Sequence, residues 1–154
     1  MESLRKSGDF RELLSRFNAE GVRYLIVGGF ALAHYGRPRY TKDLDVWIDR
    51  EGDNPDRVFL ALTKFGAPLE RFCSEDFRDA DTVFQIGVEP IRIDILTDIS
   101  GLVFSDAWPN RVEARYGDVP VCVISKENYI ANKRASGRAS DLREVESLLD
   151  DHSG

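Results

Sequence analysis

Tyr24-Leu25-Ile26-Val27-Gly28-Gly29-Phe30-Ala31-Leu32-Ala33-His34-Tyr35 reads as a strand, a tight turn and a helix. The first four residues are a short apolar run, and a glycine pair lets the chain reverse where side chains would obstruct it. The following residues favour helix. A glycine turn that opens a helix leaves backbone N–H groups pointing outward, and the positive end of the helix dipole adds to their pull on phosphate. Thirteen residues separate this corner from Asp43-Leu44-Asp45-Val46-Trp47-Ile48. On an extended strand, alternate side chains share a face, so Asp43 and Asp45 project together while Leu44, Val46 and Ile48 turn to the core. Trp47 shares the aspartate face, where stacking on a base and packing in the core are both open to it. A third carboxylate, Asp94, interrupts the apolar run Ile91-Arg92-Ile93-Asp94-Ile95-Leu96.

Adjacent carboxylates repel one another unless a cation lies between them. If the strand carrying Asp94 lies beside the one carrying Asp43 and Asp45, three hard oxygen ligands converge on a place suited to Mg²⁺ or Mn²⁺. Two divalent ions bridging phosphates beside a glycine corner form a phosphoryl-transfer site. Arg92 is the rival partner: two residues before Asp94 and on the same strand face, it can form an ion pair that removes the need for a metal.

The remaining pattern supplies an α+β frame, a mixed β-sheet flanked by helices. Phe10, Leu13, Leu14 and Phe17 set a first helix over about Asp9 to Glu20, with Asp9 a candidate N-cap and Gly21 a candidate stop. A strand is expected over Leu44–Asp49, a helix over Asp56–Phe65, and a hairpin from Thr82–Val88 and Ile91–Thr97. A helical turn precedes Pro109, and Val112–Ile124 forms a second hairpin around Gly117-Asp118. Ser125 opens a helix, Gly137 ends it, and Asp141–Leu149 is an amphipathic last helix. No repeat or linker divides the 154 residues, so the expectation is one domain spanning 1–154, with C-terminal helices over about 125–150 packed on it.

Net charge is −6 with 31% charged residues, which argues against a protein that coats nucleic acid by bulk electrostatics. Basic residues nevertheless collect at Arg37, Arg39 and Lys42 and again at Lys126, Lys133, Arg134, Arg138 and Arg143, where two patches meeting across a cleft would hold a triphosphate. The two cysteines lie far apart without metal-ligand spacing and suggest neither a zinc site nor a disulfide framework, and a count of two histidines argues further against zinc. No apolar stretch approaches bilayer length and the N-terminus lacks a signal segment, so a cytoplasmic location without membrane contact is expected.

Val27-Gly28-Gly29, Asp43-Leu44-Asp45-Val46 and Ile93-Asp94-Ile95 together resemble the signature of the nucleotidyltransferase superfamily. The fuller string Gly28-Gly29-Phe30-Ala31, Tyr35-Gly36, Arg37, Arg39, Thr41, Asp43 and Asp45 resembles small bacterial nucleotidyltransferase-like proteins related to AbiEii-type toxins, as does Asn132-Lys133-Arg134-Ala135-Ser136-Gly137-Arg138 with Asp141-Leu142. The resemblance implies the nucleotidyltransferase fold and transfer of a nucleoside monophosphate from an NTP to an acceptor hydroxyl of a tRNA, a protein or a small molecule such as an antibiotic. By that resemblance Asp43, Asp45 and Asp94 are the catalytic, metal-binding carboxylates. Gly28, Gly29, Arg39, Thr41 and Lys133 would bind nucleotide, with Lys133 on the β and γ phosphates. Many members have Gly-Ser where this chain has Gly28-Gly29, so backbone N–H groups take over from a hydroxyl. A non-catalytic binding partner in a toxin–antitoxin-type pair is the alternative, and so short a chain suits either a homodimer or a partner protein.

Overall fold

The computed structural model describes residues 6–36, 43–88 and 91–153. Six helices and six strands follow the chain: α1 (Lys6–Ala19), β1 (Tyr24–Val27), α2 (Gly28–Tyr35), β2 (Asp43–Ile48), α3 (Asn54–Phe65), β3 (Val83–Val88), β4 (Ile91–Leu96), α4 (Phe104–Ala107), β5 (Val112–Tyr116), β6 (Val119–Val123), α5 (Lys126–Ser136) and α6 (Ala139–Ser153). The strands form one mixed sheet in the order β3-β4-β2-β1-β6-β5. Both expected hairpins, β3–β4 and β5–β6, are antiparallel pairs, whereas β2–β4 and β1–β6 run parallel. This is the mixed, helix-flanked α+β sheet that the sequence implies.

The apolar stripe of α1 explains its burial. Phe10, Leu13, Leu14 and Phe17 fall at helical spacing and are each at most 2% exposed. The helix starts three residues before Asp9, which therefore lies in its first turn rather than at its cap. Gly21, with φ of +68°, follows its end. α1 packs against α3. The fully buried Asn54 ties α3 to the sheet: its Oδ1 accepts from Arg23 N at 2.7 Å, and its Nδ2 donates to the carbonyls of Arg23 and Asp49. A buried amide satisfied on both ends costs little and fixes one geometry.

Leu44, Val46 and Ile48 are completely buried on one face of β2, as alternation requires. On the other face Trp47 is also buried, donates from Nε1 to Thr97 O at 3.3 Å and meets Phe104 edge-on at 5.1 Å. It is a core aromatic, not a platform for a base. The loop after β4 then holds α5 in place. Asn132 Nδ2 donates to Ser100 O at 2.9 Å, and Gly101, with φ of +79°, lies so close to Ala135 that a Cβ would overlap it. Ser125 caps α5 by accepting from Asn128 N, and Gly137 ends it with φ of +69°. A short 3₁₀ helix over Ser74–Arg78 has no counterpart among the expected elements. Among the described residues no helix is long and apolar enough to cross a membrane.

Candidate active site

The parallel pairing of β2 with β4 settles where the three aspartates lie. Asp45 is the cross-strand partner of Asp94, and Asp43 is the partner of Arg92. Residues directly opposite in a ladder point to the same face, so Asp43, Asp45, Arg92 and Asp94 form one polar patch on the sheet. Val27, paired with Asp45 across β1, brings the glycine corner alongside. α2 begins at Gly28 itself, and no side chain caps its first turn. Gly28 has φ of +67°, and a Cβ there would overlap Asp45 Oδ2. Only glycine allows the backbone of the corner to approach this carboxylate so closely.

The charge of Asp45 is expensive. Burial pushes its carboxyl up to about 6, and the neighbouring charges of Asp94 and Asp43 push the same way, opposed by the cations Lys133 and Arg92. Burial also raises Asp94, against the attraction of Arg92. Arg92 Nε lies 3.1 Å from Asp94 Oδ1, and its Nη2 lies 3.9 Å from Asp43 Oδ2. The guanidinium therefore bridges two of the three carboxylates, the competing arrangement that the sequence leaves open. Asp43 Oδ1 is nonetheless buried without a hydrogen-bond partner among the described residues, whereas Asp94 Oδ1 meets the Arg92 guanidinium as an ion pair outside hydrogen-bond geometry. As they stand, no three acidic, histidine or cysteine side chains among the described residues are disposed to hold an ion. The donor set still suits a hard divalent cation: three carboxylates on neighbouring strands, one of them costly to ionise alone, and a buried Asp43 oxygen short of a hydrogen-bond partner.

A cleft of about 260 Å³ opens beside Asp45. Its walls include Val27 and Gly28 on one side and Asn132, Lys133, Ser136, Arg138 and Asp141 on the other. The structure thus brings Lys133 to the glycine corner, as a helix returning after the second hairpin should. Gly29, the second residue of α2, is half-buried and not part of that wall. Arg39 and Thr41 lie outside the described residues. His34 is exposed and stacks edge-on against Tyr35, away from any chemistry.

The sequence motif contained a further group whose role it did not reveal. Asp141, only 4% exposed, accepts from Ser136 Oγ and from Arg138 Nε at 2.8 Å, and Lys133 Nζ lies 3.6 Å from its Oδ1. Burial raises its carboxyl, but the bonds from Ser136 and Arg138 and the charge of Lys133 outweigh that effect and hold it below the ordinary range. Lys133 also lies 4.0 Å from Glu144, which accepts from Tyr129 OH. Asp141 anchors the cleft's cations from behind. Asp141→Asn should cost about 1–3 kcal/mol at pH 7 through its lost charge-assisted bonds. Because the folded pKa is depressed, that stabilisation is present above the unfolded pKa and fades as pH falls through the folded one. Urea melts of wild type and variant at pH 7 should differ and should converge in acid; parallel curves throughout would contradict the anchor.

The model of a family described as nucleotidyl transferase of unknown function (DUF2204) matches residues 6–153. Among solved structures, the chain resembles the Thermotoga maritima protein TM1012, a candidate nucleotidyltransferase, with a TM-score of 0.59 at 18% identity over 92% of this chain and 90% of that one. It also resembles the lincosamide antibiotic adenylyltransferase LnuA with lincomycin bound, at a TM-score of 0.58 and 16% identity over 96% of this chain and 98% of that one. An antigenic nucleotidyltransferase-like protein from Paracoccidioides brasiliensis gives a TM-score of 0.53 at 16% identity, over 96% of this chain and 77% of that one. At such identities the likeness is one of fold. No curated protein sequence matches the chain.

Proposed function

Because the chain belongs to the DUF2204 family of nucleotidyl transferases, we propose that it moves a nucleoside monophosphate from an NTP to an acceptor hydroxyl, releasing pyrophosphate. The observation that carries this reading is the cross-strand pairing of Asp45 with Asp94 beside a cleft walled by Gly28 and Lys133. Asp43, Asp45 and Asp94 would hold Mg²⁺ or Mn²⁺, which when bound supplies positive charge to the triphosphate and acidifies an acceptor hydroxyl. Gly28 presents backbone to the phosphates without a side chain in the way, and Lys133 offsets charge on the β and γ phosphates as pyrophosphate departs. Asp94, made more basic by burial, accepts the acceptor's proton. The bond from the acceptor oxygen to the α phosphorus forms as the bond to the bridging oxygen breaks.

Displacement in line requires the acceptor to arrive opposite the leaving group. On the side of Asp94 away from the glycine corner, the sheet ends in the edge strand β3, which leaves room for an acceptor there. There Gln85, the cross-strand partner of Asp94, is exposed, and Val83 is 49% exposed on the same face. The acceptor class is a tRNA, a protein or a small molecule. The Arg92 bridge is the observation that favours a second reading, a non-catalytic partner in a toxin–antitoxin-type pair whose cation site is closed by its own arginine.

Labelled NTPs, Mg²⁺ or Mn²⁺ and a cell extract distinguish the two readings. Metal-dependent transfer of label by the wild type, with at least a hundredfold loss in Asp43→Ala, is the expected result. Neither transfer nor metal-dependent NTP binding would leave the binding partner as the better account.

A further inference from the structure

The same bridge that favours an inactive protein has a different consequence in an active one. Arg92 faces Asp43 across the ladder and reaches Asp94 two residues along its own strand, so its position follows from backbone register rather than from a mobile loop. Both contacts lie in a half-buried setting, with side-chain exposures of 28% for Arg92, 35% for Asp43 and 10% for Asp94. There an ion pair is screened less than at an open surface. A guanidinium does not lose its proton within any working pH range, so the charge leaves only if the side chain moves. While it stays, Asp43 and Asp94 face a cation already present.

We propose that Arg92 is a tethered counter-cation that competes with the divalent ion for Asp43 and Asp94, and that the nucleotide's phosphates draw it away, so that metal and nucleotide bind cooperatively. The inference rests on the carboxylates being the metal site of the proposed transferase. Two cations cannot share the same carboxylate oxygens without repulsion, and a triphosphate offers the planar guanidinium two acceptor oxygens in place of the carboxylate it gives up. By linkage, whatever the nucleotide adds to metal affinity, the metal adds to nucleotide affinity. Free Mg²⁺ in the absence of nucleotide is then held weakly, and the ligands assemble around the substrate that needs them.

The test is a Mn²⁺ titration, followed by the paramagnetic resonance signal of the free ion, with and without a non-hydrolysable NTP analogue. It compares wild type, Arg92→Gln, Arg92→Lys and Asp45→Asn, each with a melting curve to show that it is folded. Without nucleotide, Arg92→Gln should bind Mn²⁺ about tenfold more tightly than wild type, and the gain in Mn²⁺ affinity from the analogue should shrink by the same factor. Arg92→Lys keeps the charge and should stay within about threefold of wild type. Equal or weaker Mn²⁺ binding by Arg92→Gln, with binding still abolished in Asp45→Asn, would overturn the inference and leave the transferase reading intact. Equal tightening in the glutamine and lysine variants would overturn it too, since charge would not be the cause. Mn²⁺ binding that ignores Asp45→Asn, or no binding even with the analogue, would instead remove the metal site itself.

Discussion

Asp45→Asn should make the metal-free protein more stable and the enzyme nearly inactive. Asp45 ionises with a pKa pushed up to about 6 by burial and by the charges of Asp94 and Asp43. Its unfolded value lies near that of a free aspartate, so between the two the unfolded chain gives up a proton that the folded one keeps. Folding stability therefore falls as pH rises through this window, and above it the folded protein carries a charge it would be more stable without. An asparagine of nearly the same shape removes that cost. In chelator-treated protein at pH 8 the variant should gain about 1–2 kcal/mol after allowance for partial solvation, and near pH 4 the gain should vanish. Nucleotidyl transfer should drop by 10²–10³-fold, on the order seen when one preorganised electrostatic group is removed from an active site. Stability gained and activity lost at one position is the mark of a charge kept for function. Denaturant melts at the two pH values, run beside the transfer assay, would reject the account if the variant were less stable at pH 8.

Gly28→Ala should disable the site through geometry rather than charge. A φ of +67° costs an alanine about 1–2 kcal/mol, which lowers the melting temperature of a domain this size by roughly 2–8 °C. The added methyl group would also overlap Asp45 Oδ2, so the carboxylate must swing away from the corner. Metal-dependent NTP binding should then fall by about a hundredfold. Gly117→Ala separates the two effects. That glycine has φ of +62° in the β5–β6 turn but open space around it, so it shares the backbone cost without the collision. Calorimetric melts should show a loss for both variants, at least as large in Gly28→Ala because of the collision, with nucleotide binding impaired in Gly28→Ala alone. Equal binding by the two would mean that the close approach of Gly28 to Asp45 has no functional weight.

The sheet was legible because its information is local. Period-two alternation in β2, the apolar run of β1 and the turn at Gly117-Asp118 each declare a strand within a few residues, and the β5–β6 hairpin follows from its turn. The convergence of Asp45 and Asp94 was legible for a similar reason: two short strands with acids at matching heights have few ways to pair. What escaped depends on distance in the chain or on choice between partners. Lys133 and Asp141 are eight residues apart across the break at Gly137, where no helical spacing rule applies, so the anchor behind the cleft could be matched as a motif but not read as a mechanism. Arg92 was visible as a rival partner for Asp94. Its reach to Asp43 as well required the β2–β4 register. The early start of α1 and the 3₁₀ turn at Ser74–Arg78 lack an apolar period of their own.

Crystals soaked with Mn²⁺ and a non-hydrolysable NTP analogue give the most direct test, because manganese identifies itself by anomalous scattering. The expected result is an anomalous peak coordinated by Asp43, Asp45 and Asp94, with Arg92 turned off the carboxylates and the triphosphate lying between Gly28 and Lys133. Nucleotide bound away from the glycine corner, or an arginine still bridging Asp43 and Asp94 with no manganese beside them, would contradict it.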